Sequence, residues 1–335
     1  MRIAYLIVDL EIGGTERVLE RLVTHLSPGF EPCVISMVGE GPIGKRLPVP
    51  VVELKMRGKL DASVVPKAVS AIRGFRPDIL HTFLFHANVL GRLLRDLSDI
   101  PKTVCSLRTL EGKFYHSAVQ RLTSRGFDRV VCASRAVAEH ARRKMGLRDC
   151  DVIYNGVPIP GNRSGIAAEL GLRPVVATSV RMARGKGARE IVGLAARMPE
   201  THFVLIGGGD EETELRRIAT PNVRFAGWRD DVPSLLVDVD VYVHASRLGE
   251  GFPNAGAEAM AAGCAVVATD VGGTREVVGD AGIVTADVEG AVRRLLGDPA
   301  ERVGLGKRAR DRAVEHFSVE SMVRQYEKVY RDLIA

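Results

Sequence analysis

Two glutamates separated by seven residues, Glu250 and Glu258, bracket the stretch of this sequence with the clearest chemical potential. Glu250 precedes a turn that contains Gly251 and Pro253, and Glu258 lies in the Ala-rich segment that follows. That segment predicts a helix whose free N–H groups and positive dipole end attract an anion such as phosphate. Carboxylates repel phosphate, so Glu250 and Glu258 are better suited to bind hydroxyl groups of a ligand, on either side of its phosphate. A nucleotide sugar fits this description, and general acid–base chemistry stays open.

The elements that must position these acids belong to an alternating pattern of short apolar runs and longer helical segments. Such alternation favours parallel sheets covered by helices on both faces, the α/β class. In the first half we predict strands at Ile3–Val8, Pro32–Val38, Asp78–Thr82, Thr103–Leu107, Arg129–Cys132 and Val152–Tyr154. The second half restarts the pattern at Val175–Val180, His202–Ile206, Val223–Phe225, Val241–His244, Ala265–Thr269 and Gly282–Val284. Two doubly wound units are therefore expected.

The stretch from Asn155 to Asn162 is rich in turn-forming residues and predicts the hinge between the two units. The last predicted helix, Val319 to Leu333, carries its apolar residues on one stripe at helical spacing. We expect that stripe to pack on the first domain, so that the helix ties the two halves together around a cleft. With 335 residues, 46% of them apolar, the chain can form two separate cores.

Five scattered cysteines, none in a C-x-x-C pair, argue against a zinc site and against a disulfide framework. The apolar run from Ile3 to Val8 is too short for a signal peptide, and no stretch is long enough to span a membrane. The expected location is the cytoplasm.

Positive charge is concentrated between residues 88 and 150, which hold 13 Lys and Arg against 6 Asp and Glu, while the whole chain carries a net charge of +6. A solvated basic helical face is one interpretation. The other is attraction to an anionic membrane surface or to a diphosphate-bearing acceptor. We expect peripheral contact with the inner face of a membrane. Nucleic acid is disfavoured as a partner because aromatics are few and no binding signature is present.

Two glycine-rich turns could approach a nucleotide closely, Gly13-Gly14 after the first strand and Gly207-Gly208-Gly209 in the second half. Neither completes the G-x-G-x-x-G fingerprint of a dinucleotide site, since Glu212 stands where the last glycine should be. A dinucleotide-binding oxidoreductase is therefore a weaker alternative, and a plain tight turn remains open for Gly13-Gly14.

Taken in order, these features resemble the retaining glycosyltransferases of family 4, which have two Rossmann-like domains in the GT-B fold. The likeness covers nearly the whole chain and implies an acceptor-binding domain at 1–157, a nucleotide-sugar-binding domain at 158–316 and a returning helix at 317–335. Its motifs are Gly13-Gly14-Thr15-Glu16, His81 to Asn88, Asn155-Gly156-Val157, Arg181 with Lys186-Gly187, Gly207 to Asp210, Glu250 with Glu258, and Gly272-Gly273-Thr274 with Glu276.

The resemblance assigns the donor site to the second domain. Arg181 and Lys186 match the pair that grips the diphosphate, where cations suit a leaving group whose charge grows in the transition state. Glu258 matches the residue that binds the ribose hydroxyls. Glu250 matches the residue that holds the transferred sugar, beside the backbone of Gly251, Phe252, Pro253 and Asn254.

The resemblance also places the base of the donor near Gly227, Trp228 and Arg229. Trp228, the only tryptophan, is equally compatible with a packing role. Gly13 and Gly14 complete the predicted donor-binding set, because their backbone can approach a ligand closely.

The first domain should hold the acceptor, and here the chain departs from one version of the family. Arg108 occupies the strand end where some relatives carry a histidine. An arginine stays protonated and cannot act as a base, so its expected role is electrostatic, on a phosphate or an acceptor oxygen. His86 matches a site residue of related sequences. The leaving phosphate is then the expected acceptor of the proton.

Two D-x-D patterns, Asp149-Cys150-Asp151 and Asp238-Val239-Asp240, match the motif with which another glycosyltransferase fold holds a divalent ion. The first lies at a strand start near the hinge and the second ends a helix before a strand, where alternating acids are ordinary solvated positions. With Arg181 and Lys186 assigned to the diphosphate, no metal and no other cofactor is expected.

The sequence thus predicts a retaining glycosyltransferase that uses a nucleoside-diphosphate sugar, with UDP as the favoured nucleotide, and a hydroxyl acceptor in lipid-linked or cell-surface glycan synthesis. Two alternatives bind the same donor: a GT-B nucleotide-sugar epimerase and a non-catalytic sugar-nucleotide-binding protein.

Overall fold

The computed structural model describes residues 1–58, 61–110, 114–161 and 165–335. These residues divide into two compact units. Unit 1 comprises Met1–Gly156 and Val319–Ala335, and unit 2 comprises Val157–Ser318. The chain therefore leaves unit 1 after Gly156 and returns to it for the last helix.

The described part of unit 1 contains a parallel sheet in the order β3-β2-β1-β4-β5-β6-β7. The central strand β4 is buried at every residue, as expected for a strand covered on both faces. The strands are β1 (Arg2–Ile7), β2 (Glu31–Ser36), β3 (Val51–Glu53), β4 (Ile79–Phe83), β5 (Lys102–Leu107), β6 (Arg129–Cys132) and β7 (Asp151–Val152).

The helices of unit 1 follow the strands in the expected alternation. A π-helical turn, Ala141–Met145, extends α6. The helices are α1 (Gly14–Thr24), α2 (Gly41–Gly44), α3 (Val64–Phe75), α4 (Phe85–Leu97), α5 (Phe114–Ser124), α6 (Arg135–His140) and, from the end of the chain, α15 (Val319–Ile334).

Helix α15 supplies one wall of the core of unit 1. Its stripe, which includes Met322, Tyr326 and Tyr330, is buried in one cluster with Tyr5 of β1 and Phe83 of β4. The prediction that the C-terminal helix packs back on the first domain is therefore confirmed. Tyr330 also forms a hydrogen bond with the ring of His81, 2.7 Å between Oη and Nδ1, so the helix is held by polar contacts as well.

The described part of unit 2 contains a second parallel sheet in the order β10-β9-β8-β11-β12-β13. Its core lies among the strands and helices of unit 2 alone. The strands are β8 (Val175–Ser179), β9 (His202–Ile206), β10 (Val223–Gly227), β11 (Val241–His244), β12 (Ala265–Ala268) and β13 (Ile283–Val284).

Helices again follow the strands of unit 2, and a 3₁₀ turn at Leu236–Asp238 extends α10. Within the part of the chain that the structure describes, no helix combines the length and apolar composition needed to cross a membrane. The helices are α7 (Ile166–Leu170), α8 (Ala188–Arg197), α9 (Glu212–Ile218), α10 (Val232–Leu235), α11 (Asn254–Ala262), α12 (Thr274–Val278), α13 (Val288–Gly297) and α14 (Pro299–Phe317).

The two connecting segments are fixed at their ends by hydrogen bonds. In unit 2 the N–H of Val157 donates to the carbonyl of Phe317 at 2.7 Å. In unit 1 the guanidinium of Arg21 donates to the carbonyl of Gly156 at 2.9 Å. Residues 162–164 of the predicted hinge lie outside the described residues. The chain therefore enters unit 2 after Gly156 and leaves it after Ser318, and these two crossing points are neighbours.

The two-unit α/β prediction is confirmed, and the structure adds one strand to it. Strand β3, which pairs with β2 at the edge of the sheet of unit 1, was not predicted from the sequence. This strand has only three residues and directly follows Pro48 and Pro50, so it lacks the apolar run by which the other strands were recognised.

Candidate functional site

Each sheet has one point at which the strand order reverses, and ligands of open α/β sheets bind beside that point, outside the carboxyl ends of the strands. In unit 1 the reversal lies between β1 and β4, and in unit 2 between β8 and β11. The loop after β8 carries Arg181 and Lys186, and the loop after β11 carries Glu250. Sheet topology therefore brings the predicted donor residues to the expected edge of unit 2.

Lys186 and Glu250 meet directly across this reversal point. The Nζ atom of Lys186 lies 3.0 Å from Oε1 of Glu250. The other carboxylate oxygen of Glu250, Oε2, lies 3.6 Å from Nε2 of His244, the last residue of β11. The carboxylate is half-buried and the imidazole is buried. Burial lowers the pKa of His244, while the charge of Glu250 raises it and that of Lys186 lowers it.

The loops that carry this pair are held by two glycines with left-handed backbone. Gly187 has φ of +101°, and a Cβ atom there would lie 2.7 Å from the carbonyl carbon of Ala245. Gly272 has φ of +54°, and its Cβ atom would lie 2.6 Å from the backbone nitrogen of Glu250. The N–H of Gly273 also donates to the carbonyl of Glu250 at 2.9 Å. Only glycine permits these close approaches, which fix the position of Glu250.

Arg181 lies exposed in the segment after β8. The next residue, Met182, connects this segment to the glycine turn after β9, since its N–H donates to the carbonyl of Gly208 at 2.9 Å. The N–H of Glu211 in turn donates to the carbonyl of Met182 at 2.9 Å. The Gly207–Asp210 motif therefore supports the segment that carries Arg181.

Helix α11 begins at Asn254 and places Glu258 in its second turn. Glu258 is buried. Burial of the phenol raises the pKa of Tyr242 to about 12, and the charge of Glu258 adds to the rise. Phe252 is buried against Phe317, with 5.4 Å between the ring centroids. Gly251 and Pro253 are also buried, so the turn before the helix is a packed part of unit 2.

The residues predicted to bind the donor base do not all have free side chains. Gly227 ends β10, and its carbonyl accepts a hydrogen bond from the N–H of Gly207 at 2.7 Å. Trp228 is 58% exposed, which does not fit a core packing role. The guanidinium of Arg229 is held by Glu169 and Asp231, each at 2.9 Å. The side chain of Trp228 is thus mostly exposed, whereas that of Arg229 is already bound by two acids.

In unit 1, Gly13 is the N-cap of α1, and Gly14 is its first residue. The carboxylate of Glu16 lies so close to Gly13 that a Cβ atom on the glycine would overlap it. Glu16 is buried in the first turn, where the helix dipole favours an acid. The side chain of Glu16 therefore lies near the start of α1, where the prediction placed the donor.

His86 is the second residue of α4, at the end of β4 and thus beside the reversal point of unit 1. The residue before the helix, Leu84, has φ of +73° and ψ of 161°, a strained conformation for a residue with a side chain. Phe85 stacks on His116 with 4.1 Å between ring centroids. Strain of this kind gathers at functional sites, which supports a ligand site at the start of α4.

Arg108 follows β5 and is buried within unit 1. Its Nη1 donates to the hydroxyl of Tyr326 at 3.0 Å, its Nη2 donates to Oδ1 of Asn155, and its guanidinium lies 5.6 Å from the ring centre of Phe83. Its Nε has no hydrogen-bond partner within the described ranges. The side chain thus links the sheet, α15 and the last residues before Val157, a role that the sequence did not predict.

The second D-x-D pattern has structural roles. Asp238 accepts hydrogen bonds from the backbone N–H groups of Gly165, Ala167 and Ala168 at the start of α7. Asp240 accepts from the N–H of Val175 at 2.8 Å and pairs with Arg302 at 3.3 Å. Asp238 ends the 3₁₀ turn, as predicted, but Asp240, whose side chain is only 9% exposed, is not the solvated acid that was expected.

His244 was predicted only as the end of a strand. Its Nε2 lies 3.6 Å from Oε2 of Glu250. A polar residue ending an otherwise apolar strand, just before a predicted site loop, is the signal that could have identified it.

Two family matches cover most of the chain. Residues 12–159 match the Glycosyltransferase Family 4 domain, and residues 173–298 match the domain described as Glycosyl transferases group 1. The chain therefore belongs to the GT-B glycosyltransferases that combine these two domains.

Among characterised relatives, the lipopolysaccharide core biosynthesis glycosyltransferase LpsE of Rhizobium meliloti is 30% identical over 218 residues, 60% of this chain and 64% of LpsE. The chain thus spans a little under two thirds of that relative. The alpha-maltose-1-phosphate synthase of Mycolicibacterium smegmatis is 27% identical over 308 residues, 77% of this chain and 79% of the synthase.

Among solved structures, Anabaena HepE in complex with UDP superposes with a TM-score of 0.86 at 22% identity, covering 99% of this chain and 100% of HepE. The same protein has been solved with UDP-glucose. At this identity the likeness shows the shared fold, and the GT-B prediction is confirmed.

Proposed function

We propose that the protein is a retaining glycosyltransferase that moves a sugar from a UDP-sugar to an acceptor hydroxyl. The observation that carries the proposal is the contact between Lys186 and Glu250, 3.0 Å apart on the two loops that flank the reversal point of unit 2. A cation and a carboxylate side by side can bind adjacent parts of one donor, its diphosphate and its sugar hydroxyls.

In the proposed reaction, the bond between the anomeric carbon and the diphosphate oxygen breaks, and the acceptor oxygen bonds to the same face of the sugar. Lys186 and Arg181 stabilise the negative charge that grows on the diphosphate. Glu250 accepts hydrogen bonds from the transferred sugar, and Glu258 accepts them from the ribose. The leaving phosphate takes the acceptor proton, so no side chain of this site is needed as the base.

UDP is the proposed nucleotide because HepE, which has the same fold, has been solved with UDP and with UDP-glucose. In this protein the exposed ring of Trp228 is available to stack on a nucleobase, while Gly227 leaves the neighbouring backbone accessible. The acceptor is proposed to bind unit 1, near Leu84 and His86.

Nucleotide binding is the first test. At a UDP concentration 100 times the dissociation constant, binding stabilises the folded protein by about 2.7 kcal/mol. For units of this size, each kcal/mol raises the melting temperature by roughly 2–4 °C. We expect UDP to raise the melting temperature by roughly 5–10 °C and uridine, which lacks the diphosphate, to raise it far less. The measurement is differential scanning fluorimetry with UDP, GDP, ADP and uridine.

If none of the three nucleoside diphosphates shifts the transition, the proposed donor class is wrong. Product analysis then separates the remaining activities. A transferase releases UDP and forms a glycoside only when an acceptor is present, whereas an epimerase converts one UDP-sugar into another without acceptor. Retention is read from the anomeric configuration of the glycoside. The proposed reaction needs no metal, so the initial rate should be the same in excess EDTA.

We further propose that unit 1 contacts an anionic membrane, which suits a lipid-linked or cell-surface acceptor. LpsE, a relative by sequence, acts in lipopolysaccharide core biosynthesis. Helices α4 and α5 expose apolar side chains, with Leu122 74% exposed, and two exposed arginines lie at the end of α5 and directly after it. We call this set the α4–α5 surface; its members are Leu93, Leu97, Val119, Arg121, Leu122 and Arg125.

Basic residues near an anionic membrane contribute about 1 kcal/mol each. Reversing the charge of Arg121 and Arg125 to Glu should therefore weaken binding to phosphatidylglycerol vesicles by at least about 30-fold. The matched control is Lys307→Glu with Arg308→Glu, the same charge change at exposed positions of unit 2. Co-sedimentation at low salt measures the effect. Wild-type protein that stays in the supernatant contradicts the membrane proposal.

A further inference from the structure

His244 is a buried side chain with an unused hydrogen-bonding atom next to the proposed donor site. It is 7% exposed, and its Nε2 has no hydrogen-bond partner within the described part of the chain. Buried polar atoms are almost always hydrogen-bonded, and an unpaired one costs free energy. A buried nitrogen without a partner therefore calls for a state of the protein in which it has one.

The fold directs this nitrogen towards Glu250. Successive side chains of a strand alternate between the faces of its sheet, so Tyr242 and His244 share one face of β11. Val241 and Val243 lie on the opposite face, in the core cluster with residues of α8. The hydroxyl of Tyr242 forms hydrogen bonds with Ser179. His244 remains directed at the carboxylate, with 3.6 Å between Nε2 and Oε2.

The separation of 3.6 Å is longer than a hydrogen bond, and the ion pair with Lys186 accounts for the present position of the carboxylate. Lys186 binds Oε1, the oxygen not facing His244. The carboxylate of Glu250 therefore lies between a cation on one side and an imidazole on the other. A small rotation of the carboxylate would shorten one contact as it lengthens the other.

Donor binding changes this balance, if Lys186 binds the diphosphate as proposed above. The ammonium group then turns from Glu250 to the phosphate oxygens, and the half-buried carboxylate loses its only cation within the described loops. Burial lowers the pKa of His244, which favours the neutral ring. A neutral imidazole with its proton on Nε2 can donate one hydrogen bond to Oε2 and adds no charge next to the diphosphate.

We propose that His244 is a positioning residue that holds Glu250 in place for the sugar, by donating from Nε2 to Oε2 once Lys186 has turned to the diphosphate. This inference rests on the proposed function for its second step. Its first step, the proton on Nε2, concerns the protein alone.

The tautomer of His244 tests the first step without any activity. In protein labelled with ¹⁵N-histidine, the spectrum of His244 is assigned by its loss in the His244→Gln variant, among eight histidines. We expect Nε2 to carry the proton at pH 7.5 and its proton resonance to move downfield when UDP is added. A proton on Nδ1, or on both nitrogens, overturns the proposal even if UDP binds.

Two substitutions test the second step. The amide nitrogen of Gln can replace Nε2, whereas the shorter Asn reaches only the position of Nδ1. With UDP-glucose as the probe donor, we expect His244→Asn to lower kcat for UDP release by roughly 10–100-fold with the Kd for UDP within twofold, and His244→Gln to retain most of the activity. Equal losses in both variants indicate packing and overturn the proposal, as does no loss in either.

Failure of the proposed function looks different. If wild-type protein neither binds UDP nor turns over UDP-glucose, the function assignment fails, and the tautomer of His244 still decides the first step of this inference.

Discussion

Replacing Lys186 with alanine should lower the rate of sugar transfer by about 10²–10³-fold, equivalent to roughly 3–4 kcal/mol of transition-state stabilisation. The ammonium group lies 3.0 Å from the carboxylate of Glu250, and its charge is needed most when the donor bond breaks and the diphosphate becomes more negative. Replacing Glu250 with alanine should lower the rate of sugar transfer by a similar factor, because the sugar then loses its hydrogen-bond acceptor. Initial rates of UDP release with saturating acceptor measure both effects.

The matched control is Arg184→Ala, which removes one positive charge from an exposed position of the same loop. Its rate should stay within twofold of the wild type. The Lys186–Glu250 pair is partly exposed and contributes only about 0–1 kcal/mol to folding, so the melting temperature of each variant should change little. Rates near that of the wild type for both Lys186→Ala and Glu250→Ala would contradict the site assignment.

Replacing Arg108 with methionine should destabilise unit 1 by about 2–4 kcal/mol. Methionine fills much of the volume but cannot donate to Tyr326 or Asn155, which lose hydrogen bonds from a charged group. Removal of the buried charge offsets part of that loss. At roughly 2–4 °C per kcal/mol, we expect a fall in melting temperature of roughly 5–15 °C. Calorimetry measures it, with the exposed Arg129→Met as the control, which should stay within about 0.5 kcal/mol.

The same variant decides whether Arg108 also acts on the acceptor, as the sequence predicts. At a temperature well below the transition, the folded variant is assayed for kcat and for the KM of the acceptor. A rise in KM or a fall in kcat of more than tenfold supports the electrostatic role. Unchanged kinetics in a less stable protein mean that Arg108 serves the fold alone.

The fold could be predicted because both of its signals are local. Strands such as Ile79–Phe83 and Val241–His244 are apolar at nearly every residue, since helices cover both faces of a parallel sheet. The stripe of α15 repeats at helical spacing. The edge strand Val51–Glu53 lacks such a signal because it is short and only partly buried.

The pairing of Lys186 with Glu250 could be anticipated, because strand ends that flank a reversal point meet in space whatever their separation along the chain. Arg108 is different. Its partner Tyr326 lies 218 residues further along the chain, on a helix whose register against β5 follows from packing of the whole core. No local pattern indicates that a strand-end arginine will turn inward to such a partner.

The partners of Arg229 in unit 2 could not be predicted from the sequence either. Its position after β10 matches the predicted base site, yet Glu169, 60 residues earlier, and Asp231 bind its guanidinium. A sequence motif fixes where the Cα atom lies. The direction of a long side chain depends on acids that arrive from other segments, and here those acids hold it.

The membership of α15 in unit 1 has a consequence for synthesis on the ribosome. Unit 2 is an insertion between β7 and α15, so its last residue, Ser318, emerges before the final helix does. A chain that ends at Ser318 therefore contains all of unit 2, whereas its unit 1, although translated first, still lacks the wall that contains Tyr326 and Tyr330. Domains usually fold in the order of their synthesis. In this protein the N-terminal unit should be the last to become fully native, and a released chain truncated after Ser318 should show a protease-resistant unit 2 beside a protease-sensitive unit 1.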